Sequence, residues 1–244
     1  MIDSLVSDPG AVAAALAEDP VTFAAEANSA LDGAPPETVL AWAGRAFGRG
    51  LAVTAAMGDT VLAHLAGTVA PGVHVIFVDT GYHFAETIGT ADAVGFSYPV
   101  QLVTARPELT VAEHEARHGQ LYRTDPDTCC RLRKVAPLDR ALSGYRAWAT
   151  GLRRDESPTR AGTPTVSWDA RRRLLKLAPI AAWTDDDVEH YLVEHPGLIS
   201  NPLLQEGYLS IGCAPCTRAV APGEHARAGR WAQLAKTECG IHLS

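Results

Sequence analysis

The sequence lacks the features of a membrane protein and of a nucleic-acid-binding protein. No apolar run approaches the roughly 18 residues that a membrane span requires. The N-terminal residues include acidic side chains where a targeting leader would carry basic ones. A net charge of -7 gives no overall positive field for nucleic acid. We therefore expect a cytoplasmic protein whose partner is a small molecule or another protein.

Internal repeats and low-complexity segments are also absent. Apolar residues make up 47% of the 244 positions, which is enough for a sizeable core and excludes a disordered chain. The length fits one large α/β domain, or such a domain with an appended segment. A homo-oligomer is compatible with this composition.

Strand and helix patterns alternate through most of the chain. Residues 1–50 are predicted to be helical, and VHVIFVD is typical of a strand buried on both faces. Strands are predicted at 51–56, 73–79, 98–103 and 145–152. Helices are predicted at 57–70, 111–119 and 184–195, the last with Thr184 as its N-cap. The pattern predicts a doubly wound, mostly parallel α/β sheet, with 153–173 as a long loop.

This alternation suggests three parts: a helical segment at 1–50, a nucleotide-binding α/β domain at 51–212, and a C-terminal segment at 213–244 that ends in a mobile tail. In open α/β sheets, ligands bind beyond the carboxyl ends of the strands. The loops at 55–60 and 79–81 follow the first two predicted strands, so they are candidates for nucleotide contacts. Each pattern alone equally fits an ordinary turn between a strand and a helix.

The five cysteines form two pairs and one single thiol. Cys129 and Cys130 are adjacent, Cys213 and Cys216 have C-x-x-C spacing, and Cys239 lies near the C-terminus. In a chain expected to be intracellular, this arrangement favours metal or redox chemistry over disulfides. Adjacent cysteines rarely reach one small ion, so the spacing favours an iron-sulfur cluster, with zinc and inert buried thiols as the alternatives.

Basic residues follow the first cysteine pair and recur in two later segments. Cations beside a thiolate site offset its negative charge, and the planar arginine fork suits phosphate or sulfate oxygens. Ordinary solvated surface arginines are the competing interpretation. The candidates are Arg131, Arg133, Lys134, Arg153, Arg154, Arg160, Arg227 and Arg230.

His114, Glu115 and His118 match the H-E-x-x-H pattern of zinc-binding helices. No third ligand is evident in the sequence, and the helix around them is polar. A solvated helix face is therefore the favoured interpretation.

Cys239 is the thiol that a four-cysteine site leaves over. A free cysteine becomes a nucleophile when neighbouring cations lower its pKa, and His242 and the nearby arginines are candidates for that role. Taken by itself, the tail fits an idle thiol on a mobile chain end more simply.

Five segments, taken together, favour a functional Cys239 over an idle thiol: VIFVDTGYHFAET, CCRLRK, TGLRRDESPTR, IGCAPCT and KTECGIH. From about residue 50 onwards, the chain resembles assimilatory adenylyl-sulfate reductases of the bacterial iron-sulfur branch. The resemblance implies an adenine-nucleotide-hydrolase-like fold and thioredoxin-dependent reduction of adenosine 5'-phosphosulfate to sulfite and AMP. The alternatives are a reductase of the 3'-phosphorylated substrate, whose members typically lack both cysteine pairs, and a zinc-stabilised nucleotide-binding module without catalysis.

The same resemblance implies roles for individual residues. Cys239 is expected to be the nucleophile, and Lys134 to lie between substrate and cofactor. The expected ligands of a 4Fe-4S cluster are Cys129, Cys130, Cys213 and Cys216. The expected phosphosulfate contacts are Arg160, Arg227, Arg230 and His242. The expected adenosine contacts are Ala55, Gly58, Asp59, Asp79, Thr80 and Gly81.

One loop departs from the superfamily pattern S-G-G-x-D-S. This chain reads Ala-Ala-Met-Gly-Asp-Thr over 55–60, so the serine and both early glycines are missing. Such a loop is a poor cradle for a pyrophosphate. Nucleotide hydrolysis of the ATP-pyrophosphatase kind is therefore not expected.

Overall fold

Three helices precede the first strand in the computed structural model, which describes residues 8–232, 236 and 238–242. They are α1 (Pro9–Glu18), α2 (Pro20–Leu31) and α3 (Pro36–Phe47). Each begins with a proline, whose missing N–H costs nothing at a helix start. The Asp8 and Asp19 side chains cap α1 and α2 by accepting hydrogen bonds from backbone N–H groups. The helical prediction is thus confirmed for the described residues before β1.

Six strands of the described chain form one sheet, in the order β3-β2-β1-β4-β6-β5. They are β1 (Leu51–Thr54), β2 (Val73–Val78), β3 (Val100–Ala105), β4 (Ala147–Thr150), β5 (Val166–Asp169) and β6 (Leu174–Leu177). All neighbouring strands are parallel except β5 and β6. The predicted doubly wound, mostly parallel sheet is confirmed. Because the strand order reverses between β1 and β4, the loops after these two strands flank the crevice where such sheets bind ligands.

Seven further α-helices follow β1 in the described part of the chain. They are α4 (Val61–Val69), α5 (Ala85–Ser97), α6 (Val111–His118), α7 (Leu121–Thr124), α8 (Pro126–Cys130), α9 (Ala136–Leu142) and α10 (Asp185–Glu194). Thr184 caps α10 as expected, in a capping box with Asp187. The main core packs α3, through Trp42 and Leu40, against strand residues such as Val53. Among the described residues, none of the helices combines the length and the apolar composition of a membrane span.

The segment 153–173 was predicted to be a loop, and this prediction is wrong in part. It holds two 3₁₀ turns, Arg154–Glu156 and Pro158–Arg160, followed by β5. β5 and β6 make an antiparallel hairpin at the edge of the sheet. The four-residue sequence VSWD alternates apolar and polar side chains too briefly to stand out, and an antiparallel edge strand lies outside the alternation of parallel strands and helices.

Two other boundaries also moved. The strand expected at 98–103 runs from Val100 to Ala105, and the helix expected from residue 57 begins only at Val61. The residues between β1 and α4 therefore form a loop, in which Met57 and Thr60 have positive φ angles of 59° and 58°. Non-glycine residues rarely adopt this conformation, so surrounding contacts must hold it in place.

Asn201 supplies several of those contacts and is completely buried. Its Nδ2 donates to the Met57 carbonyl and to Thr87 Oγ1, both at 3.1 Å. Its backbone N–H donates to the carbonyl of Gly58 at 2.8 Å. One buried amide thus fixes the loop after β1 to the segment that follows α10.

Replacing this amide tests its role. Asn201→Ala leaves a buried carbonyl without its donor, which should cost about 2 kcal/mol and lower the Tm by about 4–8 °C. Differential scanning fluorimetry measures the shift, and the exposed Gln205→Ala provides a control expected to melt with the parent protein. An Asn201→Ala protein with an unchanged Tm would show that the loop does not depend on this residue.

Candidate functional site

The loops after β1 and β4 meet at the point where the strand order reverses. Asp59 caps the start of α4, since its Oδ1 accepts from the N–H of Val61 at 3.0 Å. Burial raises the pKa of Asp59, against the opposing effects of the Val61 hydrogen bond and of the Arg153 charge. Glu156, from the segment after β4, also lies close enough to influence this carboxyl group. The first candidate loop therefore borders the segment that carries Arg160.

The adjacent cysteines end a helix whose start is well defined. The Asp125 side chain caps α8 by accepting from the N–H of Thr128 at 3.0 Å. After Cys130 the helix widens into one π-helical turn, Arg131–Val135, before α9 continues. π-helical turns inside α-helices are frequent at functional sites. Here the turn follows the cysteine pair directly and contains Lys134.

The second cysteine pair is attached to the loop after β2. A 3₁₀ turn, Ala214–Cys216, brings the two residues together, and the Cys216 N–H donates to the Cys213 carbonyl at 2.9 Å. Cys213 Sγ and Thr80 Oγ1 share a hydrogen bond of 3.2 Å. The Ala214 N–H donates to the Tyr82 carbonyl at 2.8 Å. These hydrogen bonds hold C-x-x-C beside a loop more than 130 positions earlier in the chain.

The four cysteines of the two sequence pairs line one cavity, and none of them forms a disulfide. Burial, with further contributions from neighbouring thiols, raises the pKa of Cys129 to about 12. Burial also raises the pKa of Cys130 to about 11, although Lys134 opposes it. A soft cation bound to sulfur would stabilise thiolates at such a place, so the donor set fits a thiolate-bound metal group. Within the described residues, no three His, Cys, Asp or Glu side chains surround a single metal position.

The H-E-x-x-H motif likewise forms no three-ligand metal position within the described residues. The His114 and His118 rings are 5.3 Å apart on α6, but the described residues supply no third ligand for them. Glu115 instead accepts a hydrogen bond from the Tyr82 hydroxyl at 2.9 Å. His114 is buried, so the expectation of a fully solvated helix face is wrong for that residue.

Arg133 holds the wall of the cysteine cavity in place. It is buried, and its Nε donates to the Thr80 carbonyl at 2.7 Å while its guanidinium lies over the Tyr82 ring. Gly81 has a φ of 76°, and a Cβ there would lie 2.8 Å from Val111 Cγ2. Asp79 caps this turn by accepting from the Gly81 N–H at 3.0 Å. The structure thus gives 79–81 a packing role, and the adenosine contacts expected there stay a prediction.

Lys134 lies between the cavity and the C-terminal tail and is buried. Burial alone would lower its pKa, but the negative charges that Cys213, Cys239 and Cys130 can carry outweigh this effect and raise it. Lys134 is therefore a cation that faces both the paired thiols and the single one. Arg131, the other basic residue considered beside the cysteines, is exposed.

Two arginines bind one carboxylate of the tail. Arg160 Nε and Nη2 donate to Oε1 and Oε2 of Glu238, both at 2.8 Å. Arg227 Nη2 lies 3.3 Å from Oε2 of the same group. Arg230 is oriented differently, with its guanidinium over the Trp231 ring, and its buried Nε has no hydrogen-bond partner among the described residues.

His242 packs on the sheet through its ring. Its imidazole stacks on Trp148, with centroids 5.7 Å apart and the planes 8° from parallel. Burial, together with cations that include Lys176 and Arg160, holds the pKa of His242 well below its usual value. The ring is therefore neutral at pH 7, and its buried Nδ1 has no partner in the described part of the chain.

The structure adds site residues that the sequence did not indicate. Arg172 and Lys176 lie over the Trp148 ring, at 5.0 Å and 5.4 Å from its centroid. Both flank or lie on β6, a strand that the sequence pattern missed. Glu238, next to Cys239, carried no signal of its own, because its significance depends on arginines distant in sequence.

Two candidate arginines instead have structural partners. Arg153 pairs with Asp185 at the start of α10. Arg154 pairs with Asp32 after α2, and its Nε donates to the Thr163 carbonyl at 2.8 Å. Arg160, Arg227 and Arg230 remain as the arginines gathered around the tail.

The fold and the site define a doubly wound α/β protein whose ligand crevice joins a cysteine cavity, a buried cluster of cations and a single thiol. Residues 51–219 match the family model described as the phosphoadenosine phosphosulfate reductase domain. The chain belongs to this family, which confirms the resemblance drawn from the sequence.

Relatives and solved structures agree with this assignment. The adenosine 5'-phosphosulfate reductase of Streptomyces coelicolor is 55% identical over 226 residues, covering 92% of this chain and 95% of the relative. The enzyme of that name from Mycolicibacterium smegmatis is 54% identical, covering 86% and 89%. The crystal structure of Candida auris phosphoadenylyl-sulfate reductase has a TM-score of 0.68 and 28% identity, covering 79% of this chain and 95% of that chain. A Candida glabrata FMN adenylyltransferase, with a TM-score of 0.53, 12% identity and coverage of 75% and 64%, shares the fold alone.

The neutral state of His242 predicts that docking of the tail depends on pH. A histidine whose pKa is lowered in the docked state takes up a proton on release once the pH falls below about 6.5, so acid favours release. Between pH 7.5 and 5.5, amide protection of the C-terminal peptide should fall about tenfold, after correction for intrinsic exchange.

Hydrogen exchange with mass spectrometry measures this change. His242→Phe can keep the ring stack but cannot take up a proton, so its protection should be nearly independent of pH over this range. His225→Phe alters an exposed histidine outside the tail and should behave like the parent protein. Equal pH dependence in parent and His242→Phe would contradict the prediction.

Proposed function

We propose that this protein reduces adenosine 5'-phosphosulfate to sulfite and AMP in cytoplasmic sulfate assimilation, with Cys239 as nucleophile and thioredoxin as reductant. Two relatives that are more than half identical to this chain carry the name of that activity. The observation that carries the proposal is local. Cys239 is next to Glu238, whose carboxylate is bound by two arginines. Cys239 also lies close enough to Lys134 to raise the pKa of that lysine. A thiol, a buried ammonium group and an anion-binding pair of guanidiniums are what attack on a sulfonyl group requires.

In the first step, the Cys239 thiolate attacks the sulfonyl sulfur. A bond forms between the two sulfur atoms, the bond from sulfur to the bridging phosphate oxygen breaks, and AMP leaves with that electron pair. The enzyme then carries an S-sulfocysteine. A thioredoxin thiolate attacks Cys239 Sγ and releases sulfite, giving a mixed disulfide. The second thioredoxin thiol resolves this disulfide, so that two electrons come from one dithiol and Cys239 is restored.

Fixed cations offset the electrostatic repulsion that opposes the first step. The attacked sulfur is surrounded by anionic oxygens that repel a thiolate, so fixed positive groups must offset that repulsion. We assign this role to Lys134, Arg160, Arg227 and Arg230. His242, neutral and partly enclosed, would act as a hydrogen-bonding group rather than as a cation.

The cysteine cavity is the proposed place of a 4Fe-4S cluster, with ligands Cys129, Cys130, Cys213 and Cys216. The support is that four free thiols from two distant segments line one cavity, walled by Tyr82, Lys134 and Trp231. When bound, such a cluster would tune the electric field around Lys134, while the reducing electrons come from thioredoxin. In this chain, Lys134 supplies the cation shared by the thiol cavity and the tail.

The nucleotide part of the substrate is proposed to lie in the crevice between β1 and β4, within the domain assigned to 51–212. The residues concerned are Ala55, Gly58, Asp59, Asp79, Thr80 and Gly81. The support is the reversal of strand order there and the tight fixation of the first loop by Asn201. A fixed loop loses little entropy when it binds a ligand.

The competing substrate is the 3'-phosphorylated nucleotide, since the matching family model and the Candida auris structure bear that name. Parallel assays separate the two. With thioredoxin and its reducing system, we expect kcat/KM for adenosine 5'-phosphosulfate to exceed that for its 3'-phosphorylated form by at least about a hundredfold, because two relatives more than half identical to this chain are named as reductases of the former.

Iron, sulfide and zinc are measured on the same sample. About four irons with matching sulfide per chain are expected. Sulfite formation mainly from the 3'-phosphorylated nucleotide would overturn the assignment of substrate. One zinc per chain, with no activity on either nucleotide, would favour the zinc-stabilised binding module.

Two cysteine substitutions separate the nucleophile from the metal ligands. Cys239→Ser should abolish sulfite formation and leave the visible absorbance and the iron content unchanged. Cys213→Ser should lose both activity and iron, because one thiolate ligand is missing. Sulfite release and absorption spectra are recorded for both variants. A Cys239→Ser protein that turns over, or a colourless Cys213→Ser protein with full activity, would contradict this division of roles.

A further inference from the structure

The carboxylate of Glu238 occupies the arginine pair to which we assign the anionic substrate group. Both of its oxygens accept from Arg160, and one also faces Arg227. Two parallel N–H to oxygen bonds are the geometry in which guanidinium groups bind carboxylates and phosphates. Glu238 thus presents to these arginines the same planar array of acceptor oxygens that a phosphate or sulfonyl group would present.

The ion pairs are shielded from solvent. The side chains of Arg160, Arg227 and Glu238 are 13%, 15% and 16% exposed. Glu156 accepts a further hydrogen bond from Arg160 Nη1, which is directed away from Glu238. Within this group, two guanidiniums face two carboxylates, so little positive charge is left over for an incoming anion while Glu238 stays bound.

The pKa shifts agree with a cluster held together by charge. Burial alone would raise the pKa of Glu238, but the hydrogen bonds and charge of Arg160, with Arg227 and Arg230, lower it. The pKa of Arg227 is lowered by burial and by Arg160, against the attraction of Glu238. The cluster therefore favours an anion at the position of the Glu238 carboxylate.

Glu238 also connects this cluster to the nucleophile, because Cys239 is the next residue. The described part of the tail has further contacts: Lys236 pairs with Asp127 of α8, and His242 stacks on Trp148. Among the described tail residues, Glu238 is the one whose side chain pairs with the arginines proposed as substrate ligands. Its release would therefore couple arrival of the substrate to movement of Cys239.

We propose that Glu238 is an internal ligand of Arg160 and Arg227, which docks the tail in the absence of substrate and which the anionic end of the substrate displaces. This inference rests on the proposed function for the identity of that substrate. The Nε and Nη2 donors of Arg160 cannot serve both anions at once with good geometry. Substrate binding therefore costs the Glu238 ion pairs, and in return frees the tail to bring Cys239 to the bound sulfonyl group.

Binding measurements test the competition directly. Cys239→Ser prevents turnover, so adenosine 5'-phosphosulfate can be titrated by calorimetry into this protein and into Glu238→Gln/Cys239→Ser. Loss of the competing carboxylate should tighten binding about tenfold. Unchanged or weaker binding would overturn the proposal, because Glu238 would then be indifferent to the substrate or would help to hold it.

Alkylation of Cys239 tests the docking. In protein that retains Cys239 and lacks substrate, Glu238→Gln should increase the rate of reaction with iodoacetamide severalfold, as followed by mass spectrometry of the C-terminal peptide. An unchanged rate would overturn the docking role. This measurement needs no substrate, so it remains informative even if the Cys239→Ser protein fails to bind the nucleotide, a result that would count against the proposed function instead.

Two matched controls isolate the effect of the tail. Glu156→Gln removes the same charge from Arg160 at a position outside the tail, so it should leave alkylation of Cys239 unchanged, whatever it does to affinity. Glu224→Gln breaks an exposed ion pair with Arg218, away from the cluster, and should change neither quantity. Faster alkylation in Glu156→Gln would show that any loss of charge near Arg160 loosens the tail, and would contradict a specific role for Glu238.

Discussion

Balance of charge in the crevice between β1 and β4 is the constraint on which the site depends. Buried guanidiniums are unfavourable unless anions pair with them, and removing one member of such a pair leaves an uncompensated charge. Arg160 is satisfied here by Glu156 and Glu238, which come from its own segment and from the tail. Docking of the tail therefore stabilises the largely buried Arg160 side chain, and an anionic substrate has to compete with Glu238 for this arginine.

Helix geometry explains why one residue, Lys134, lies near both the thiol cavity and the tail. Cys130 ends α8, a single π-helical turn follows, and Lys134 lies in that turn. Residues four apart in a helical segment share a face, so the ammonium group is carried towards the thiols that precede it. The motif CCRLRK thus sets two distances at once: from thiol to thiol, and from thiol to cation.

The sequence predicted the fold well where burial is continuous. VHVIFVD and the apolar runs around 51 and 147 became parallel central strands, because two-sided burial leaves a strong apolar pattern. β5 was missed because it is a short antiparallel edge strand, and β6 was missed because its four residues, LLKL, make an apolar run too short to stand out. Arg153, Arg154 and Arg160 look alike in sequence. The structure separates them through Asp185, Asp32 and Glu238, partners that no local pattern identifies.

The loop after β1 shows a second limit of the same kind. The loop lacks the early glycines of the superfamily pattern, yet its backbone still adopts positive φ angles at Met57 and Thr60. The hydrogen bonds of Asn201 come from a segment more than 140 positions away and sustain this conformation. Local sequence therefore describes which conformations are unfavourable, while long-range contacts decide whether they form.

The contacts that hold the tail explain how Cys239 can react first with the substrate and then with a protein reductant. Cys239 has to reach a sulfonyl group in the crevice and later present its sulfo group to a protein reductant. The described tail is held by ion pairs, one ring stack and the partly buried Ile241, which packs against an apolar cluster, whereas the sheet below it is held by an extensive apolar core. Ion pairs can be exchanged for substrate or for water at moderate cost, but core packing cannot. The tail can therefore detach without disturbing the strands, and its movement can be controlled by the charge of whatever occupies the arginine pair.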